Sequence, residues 1–391
     1  MQESGRLVSQ VWSTGFDGLH ATSRTVGAYW IGVSEPYDYT TTSDAPVAVI
    51  GAGLAGLSCA KVLASHGRAV TVFEKARGPS GRCATREQRA EPGARYDHGA
   101  QYYTVRSQSF RAQHEHWLAH GVSALWAARI GVWEPSQRQL AVKTDAQERY
   151  IGTPGMSALG RHLADEVRAQ GGSVQYEAAV IAIEGRPQAW HVRLQDGSLH
   201  GPYRAVVCTA PAAQAAALVG PHAIDLGQLA QSLIAHPCWA LMLECAADLA
   251  PELDGVFVNE HALSWLAREA SKPARAARNQ WVVQAAPSWS TSHLELEADA
   301  AARAMLRLLQ EWLIDQGRAA AAAALDRPAH AVAHRWRYSI PAQARAERYA
   351  VSSCGSLLLA GDAHGGPRIE GAWLSGAAAG SHCVSHLGGK P

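Results

Sequence analysis

The 391-residue chain carries 35 lysines and arginines against 34 aspartates and glutamates, a formal charge of +1, so bulk electrostatics give no reason to expect nucleic acid or an anionic membrane as partner. Its length suffices for two or three domains, no apolar run approaches the roughly 20 residues that cross a bilayer, and the N-terminus lacks a secretory signal. Seven scattered cysteines, an odd number with no C-x-x-C pair, favour a reducing compartment, with the cytoplasm as the expected location.

Residues 1–44 are rich in Ser, Thr and Gly without a sustained hydrophobic period, and a flexible leader is expected there. A targeting peptide is the rival, although only Arg6 and Arg24 supply basic charge; an over-long gene start is a third reading. From Ala45 the pattern turns regular. Val47 to Ile50 is a continuous apolar run suited to a buried parallel strand, Leu54 to Ser65 has helical period, and a second strand, Ala69 to Phe73, ends at Glu74. Between the first strand and the helix stands Gly51-Ala52-Gly53-Leu54-Ala55-Gly56. In this G-x-G-x-x-G loop Gly51 permits the tight turn, Gly53 lets the backbone approach phosphate oxygens and Gly56 lets helix and strand pack closely, while Glu74 is placed to accept hydrogen bonds from ribose hydroxyls. Taken alone, the unit fits NAD or FAD.

Ser80-Gly81-Arg82 follows, and a planar fork donor such as Arg82 can neutralise and orient a diphosphate. Further on, Gly155 to Gly171 reads as a helix, Val174 to Val180 as a strand, Trp190 to Leu194 and Ser198 to Tyr203 as a hairpin around Asp196-Gly197, and Ala205 to Thr209 as another strand. Two tryptophan-rich stretches, 101–151 and 221–345, hold strand-like runs such as Trp281-Val282-Val283 and are assigned to one substrate domain built from discontinuous pieces. The alanine run Ala319 to Ala324, with Ala300 to Gln316 before it, is expected as a surface helix pair or one interrupted helix. Near the end, strand Leu357 to Ala360 delivers Gly361-Asp362, whose carboxylate can bind ribityl hydroxyls. After a Gly-Gly-Pro turn, Gly371 to His382 reads as a helix whose N-terminal dipole can face the pyrimidine edge of a flavin and stabilise its anionic reduced form. A plain NAD enzyme has no use for this second grip, so FAD is the expected cofactor. The fold class is α/β: a Rossmann-like FAD-binding domain (45–100, 152–220 and 346–391) with a discontinuous mixed α+β substrate domain.

Several of these motifs resemble the extended fingerprint of the amine oxidase and phytoene desaturase superfamily of flavoproteins, most closely its renalase-like branch of bacterial type. They are Glu74-Lys75-Ala76-Arg77-Gly78-Pro79-Ser80-Gly81-Arg82, Asp97-His98-Gly99-Ala100-Gln101-Tyr102-Tyr103, Gly152-Thr153-Pro154-Gly155-Met156, Ser271-Lys272-Pro273, Gly361-Asp362-Ala363-His364-Gly365-Gly366-Pro367-Arg368 and Glu370 to Gly376. Ser80 replaces the first glycine of the family's Gly-Gly-Arg turn, which raises the question of whether the turn keeps a residue at positive φ. The resemblance implies that FAD is held by Gly51, Gly53, Ala55, Gly56, Glu74, Lys75, Arg82, Gln101, Tyr102, Val180, Gly361, Asp362, Arg368, Glu370, Gly371 and Ala372. Val180 would act through its backbone at the adenine end. No cysteine lies beside Glu370 to Gly376, so the FAD is expected to be non-covalent.

The resemblance also implies an activity, the oxidation of dihydronicotinamide isomers (2- or 6-dihydro-NAD(P), α-NAD(P)H). A ring carbon gives hydride to flavin N5, and dioxygen reoxidises the flavin to yield hydrogen peroxide. Dihydropyridines are good hydride donors, so orientation suffices and no general base is needed. Trp336, Gln284 and Tyr103 are the candidate catalytic residues: Trp336 could stack on a nicotinamide-like ring, and Arg337 or Arg368 could meet a phosphate. Gln284 stands where many renalase-like sequences have a histidine. The alternatives are an amine oxidase or desaturase of the same superfamily, with an aromatic cage and often a lysine near N5, and a flavin-binding protein without turnover. No metal is expected: His116 and His120 have the spacing of a metal pair, but Trp117 stands where a zinc protease has its glutamate and no third ligand is evident, so His114, His116 and His120 read as a solvated helix. No G-x-S-x-G motif supports a hydrolase.

Overall fold

Strand Val47–Ile50 is buried at all four positions because it lies inside a six-stranded sheet. The order is Tyr349–Val351, Leu357–Ala360, Ala205–Cys208, Val47–Ile50, Val70–Phe73 and Ser173–Gln175, parallel throughout except for the first, edge strand. The structure, a computed structural model, describes residues 45–88, 91–136, 139–144, 146–250 and 252–386; the expected leader, 1–44, lies outside them.

The pleat explains the unbroken apolar runs. Val47, Val49, Val70, Val72, Ala205 and Val207 face one core, shared with helices Leu54–Ser65, Ser157–Ala169 and Ile369–His386. Ala48, Ile50, Phe73, Val206 and Cys208 face a second, closed by the three-stranded antiparallel sheet Val180–Arg186, Ala189–Leu194 and Leu199–Tyr203 and by helices Ala212–Val219 and Ile224–Ser232. Fully buried leucines such as Leu57 and Leu63 each contribute about 1.5–3 kcal/mol. Two glycines permit backbone contact: an ideal Cβ on Gly56 would lie 1.9 Å from Gly51 O, and one on Gly376 1.9 Å from Ala55 O. The nucleotide-loop helix can therefore touch both the strand turn and the C-terminal helix.

A seven-stranded sheet stands beside this unit, in the order His330–Pro341, Ala235–Glu244, Gln280–Ala285, Leu263–Arg268, Gly255–Val258, Ile130–Glu134 and Gln139–Val142. One face is covered by helix Ala298–Asp315 through Ala301, Met305, Leu309, Trp312 and Leu313; the other contributes Trp265, Gln284 and Trp336 to a cavity.

The structure departs from the expected elements in four places. Val174 to Val180 is not one strand: the chain leaves the parallel sheet after Gln175, turns at Glu177 (φ +55°), and enters the three-stranded sheet at Val180. The alanine-rich helices are no free surface pair, because Ala301, Met305, Ala321 and Ala322 are buried against the seven-stranded sheet. Helix Gln108–Ala119 lies in a stretch expected for the substrate domain, yet it sends Phe110 and Trp117 into the core of the nucleotide-loop helix, with Trp373 against Phe110 at 5.6 Å between ring centres. Its apolar face decides its neighbours, not its place in the chain. The last helix starts at Ile369, so Glu370, Gly371 and Ala372 form its first turn. Among the described residues no helix is long and apolar enough to cross a membrane.

Candidate active site

Gly51, Glu74, Thr209 and Gly361 follow the carboxyl ends of four neighbouring parallel strands, where open α/β sheets bind their ligands. A cavity of about 1990 Å³ opens there, larger than the roughly 300–1,000 Å³ of a pocket for one small ligand. Gly53 caps the Leu54–Ser65 helix without any side-chain bond to the first amides, and a Cβ placed on it would meet nothing within 4 Å. The helix dipole and its unpartnered N–H groups therefore aim at open space, as a diphosphate requires. Glu74 Oε2 accepts from Ala52 N–H and Oε1 from Ala76 N–H, both at 2.8 Å, which fixes the carboxylate at the cavity wall with lone pairs left for ribose. The residues present fit FAD.

Ser80 answers the question raised by the missing glycine. It adopts φ +100° itself, with Gly81 at +52°, held by Ser80 Oγ donating to Ser157 O at 2.8 Å and Ser80 N–H to Ala52 O at 2.9 Å. Arg82, expected on a phosphate, instead pairs with Asp362: Nη2 is 2.6 Å from Oδ1 and Nη1 2.7 Å from Oδ2, and Nη1 also donates to Ser339 O at 2.8 Å.

The remaining expected cofactor residues divide. Ala55, Lys75, Gln101, Tyr102, Val180, Arg368, Glu370 and Ala372 border the cavity; Gly56 and Gly371 do not. Gly56 serves packing, as expected, and Gly371 lets the last helix press on Gly366, whose oxygen would be 2.1 Å from a Cβ. The Glu370 carboxylate accepts Arg106 N–H and Ser107 N–H at 3.0 and 2.7 Å, tying that loop to the helix start.

The expected substrate residues need more correction. Tyr103 is 3% exposed, and its hydroxyl is engaged in the core, 3.0 Å from His114 Nδ1 and 2.7 Å from Ser123 Oγ; burial raises its pKa further, so it offers no reacting group. His114 is accordingly buried and not solvated. Arg337 is taken up by exposed Glu295 at 2.8 and 2.9 Å, whereas Arg368 has no ion-pair partner among the described residues. Tyr103, Arg337, Arg368, Trp336 and Gln284 all border the cavity. Trp336 Nε1–H donates to His98 O at 2.7 Å and Gln284 Nε2–H to Gly99 O at 2.8 Å. The His98 ring stacks on Trp336 at 5.2 Å and the His334 ring meets it edge-on at 4.5 Å. Burial drives both imidazoles to the neutral form, His98 down to about 3 and His334 to about 4.

Sequence reasoning missed three features. Arg86 borders the cavity beside this aromatic group, its Nη2 3.4 Å from His334 Nδ1, and has no carboxylate partner among the described residues. A wall of Tyr102, Trp265 and Phe257, with centroid spacings of 5.8 and 4.6 Å, faces the same space. Behind Gln101 a fully buried ion cluster forms: Lys272 Nζ lies 3.1 Å from Asp97 Oδ2, 2.7 Å from Glu269 Oε1 and 3.2 Å from Gln101 Oε1, and Arg275 bonds both carboxylates. Burial would raise the Asp97 carboxyl, but Lys272 and Arg275 outweigh it and the net shift is downward; Glu269 is shifted upward, by burial foremost. Lys272 does not border the cavity. Only the short Asp97-His98-Gly99 and Ser271-Lys272-Pro273 runs hinted at it, and nothing linked them. Two cysteines, Cys83 and Cys238, do border the cavity, with burial pushing each thiol up to about 12.

A nucleotide loop, a ribose carboxylate and a second acidic turn around one long cavity define a flavin-dependent α/β oxidoreductase. Residues 134–382 match the family described as flavin containing amine oxidoreductase, and residues 49–128 match the NAD(P)-binding Rossmann-like domain. The chain belongs to the flavin containing amine oxidoreductase family and is an FAD-dependent oxidoreductase. Solved structures share the fold at low identity. Cyclohexylamine oxidase from Brevibacterium oxydans IH-35A has a TM-score of 0.66 at 14% identity, covering 88% of this chain and 99% of that one. A protein provisionally named protoporphyrinogen oxidase from Exiguobacterium sp. 255-15 has 0.67 at 13%, covering 89% and 100%. Wild-type putrescine oxidase bound to putrescine has 0.61 at 12%, covering 87% and 99%.

Proposed function

We propose that this oxidoreductase is of the renalase-like kind and oxidises dihydronicotinamide nucleotides, the 2- or 6-dihydro isomers of NAD(P) or α-NAD(P)H, with dioxygen as electron acceptor. The supporting observation is the charge of the cavity: ten lysines and arginines border it against four acids, Glu74, Asp165, Asp362 and Glu370, none of which comes from the seven-stranded sheet. Of the ten, only Arg335 and Arg337 are offset by an acid that does not border the cavity, Glu295, among the described ion pairs. Among the described residues a cationic amine finds no counter-ion bordering the cavity on that side, whereas a phosphorylated substrate finds Arg86. Trp336, held by its bond to His98 O, borders the space where a planar ring would lie, and Gln284, whose Nε2–H is taken by Gly99 O, would offer its amide oxygen. The neutral His98 and His334 add no charge against the ring. Bound FAD supplies hydride acceptance at N5 and electron release to dioxygen.

Retention of FAD would be non-covalent, since no cysteine lies beside Glu370 to Gly376 and the thiols of Cys83 and Cys238 stay protonated. Residues 45–100, 152–220 and 346–391 would hold the cofactor, and 101–151 with 221–345 the substrate, apart from the Gln108–Ala119 helix. Seven cysteines without a disulfide support a cytoplasmic location.

Amine oxidation is the second reading, favoured by the wall of Tyr102, Phe257 and Trp265 and by the fold shared with putrescine and cyclohexylamine oxidases. The two separate in one experiment. Anaerobic holoenzyme is mixed with each dihydronicotinamide isomer and with putrescine and cyclohexylamine, and the loss of oxidised-flavin absorbance is followed. Bleaching by a dihydro-NAD(P) isomer and not by amines supports the proposal; bleaching by amines alone overturns it.

A further inference from the structure

Away from the cavity, helices Gln108–Ala119 and Ser157–Ala169 turn two four-residue-spaced pairs toward each other: His116 with His120, which caps the first helix, and His162 with Glu166. One ring nitrogen of each histidine lies within 4.8 Å of one from each of the other two. His116 Nε2 stands 3.3 Å from His162 Nε2, matching the edge of about 3.3 Å in a tetrahedral site with bonds to nitrogen of about 2.0–2.1 Å. Glu166 Oε1 is 2.8 Å from His116 Nε2 and 3.8 Å from His162 Nε2, values that straddle the same edge. His120 Nδ1 lies 2.8 Å from His116 O, a bond only an Nδ1–H can donate, so Nε2 keeps its lone pair. A backbone carbonyl holding the far nitrogen is how ligating histidines are commonly oriented. The third histidine comes from a different helix, which is why the chain order alone pointed to no metal.

We propose that His116, His120, His162 and Glu166 form a binding site for a borderline divalent transition ion, Zn²⁺ foremost, that clamps the two helices together. Three imidazoles and one carboxylate suit such an ion and not Ca²⁺ or Mg²⁺, which take oxygen ligands. None of the four residues borders the flavin cavity, so the role is structural. Lys61 now holds both Glu166 oxygens, at 2.9 and 3.0 Å. It can release Oε1 to the ion while keeping Oε2 and its bond of 3.0 Å to Gln113 Oε1.

Tag-free holoenzyme, treated with a chelator and desalted, is titrated with Co²⁺ as a spectroscopic stand-in for Zn²⁺. One equivalent should bind with the visible absorption of four-coordinate Co²⁺, Zn²⁺ should displace it, and Zn²⁺ alone should raise the unfolding temperature. His120→Ala, at an exposed helix cap, and His162→Ala should each weaken binding at least about tenfold with FAD content unchanged. Absence of binding to the parent protein overturns the site. So does an ion, or a thermal shift, that a variant carrying both His120→Ala and His162→Ala retains in full.

Discussion

Arg82 and Asp362, 280 positions apart, meet in a two-point ion pair of 2.6 and 2.7 Å at the cavity wall. Both groups are partly exposed, so the pair adds little to stability by itself. Its consequence is geometric. The carboxylate that follows the Leu357–Ala360 strand and the arginine that follows the nucleotide loop orient each other before any ligand arrives, which lowers the ordering cost of binding.

Replacing Asp362 by Ala removes a hydroxyl acceptor and leaves Arg82 without its partner. FAD retention, read as the ratio of flavin to protein absorbance after gel filtration, should fall at least about tenfold, equivalent to about 1.4 kcal/mol, with the far-ultraviolet circular dichroism unchanged. Full retention would mean that Asp362 serves only the ion pair.

Gly53 and Gly56 should separate binding from folding. Gly53→Ala places a methyl in open space, so urea unfolding of the apoprotein should stay within about 0.5 kcal/mol of the parent while FAD binding weakens sharply. Gly56→Ala drives a methyl to 1.9 Å from Gly51 O and should destabilise the apoprotein by more than about 2 kcal/mol. Equal effects of the two variants on stability would contradict this division.

Acid should weaken the fold well above the carboxylate range. Held neutral chiefly by burial, His98 titrates near 3 and His334 near 4 in the fold, against 6.5 when free. Above pH 6.5 neither state binds these protons; between pH 6.5 and 4 the unfolded chain takes them up and the fold does not, so stability falls as pH falls through that window. The slope should approach about 1 kcal/mol per pH unit for each ring. His98→Asn should flatten it in urea titrations; an unchanged slope would assign the loss to other groups.

Lys272→Met leaves Asp97 and Glu269 sharing Arg275 alone in a fully buried place. Breaking such a cluster should cost about 3–5 kcal/mol, seen as a lower urea midpoint of the holoenzyme. A loss below about 1 kcal/mol would indicate that Arg275 suffices for both carboxylates.

Arg86→Ala tests the anionic end of the proposed substrate. KM for a dihydronicotinamide nucleotide should rise about tenfold or more with kcat little changed, the pattern of a lost binding contact, while FAD content stays constant. An unaltered KM would move the phosphate away from Arg86.

What the chain order determined by itself is local. A buried apolar strand, a glycine turn, a helix and an acidic strand end are set by periodicity and backbone sterics within some thirty residues, and Gly51 to Glu74 fold as that pattern requires. The last strand and helix are equally local, with Asp362 between them. Tertiary structure alone decided which distant groups meet: Arg82 with Asp362, Lys272 with Asp97, and His162 with the His116 and His120 pair. It also sent Phe110 and Trp117 into the nucleotide-side core and engaged the Tyr103 hydroxyl with His114 and Ser123. Side-chain ion pairs and packing act over a few ångströms in space, and strand order and helix crossing set that separation, which spacing along the chain does not encode.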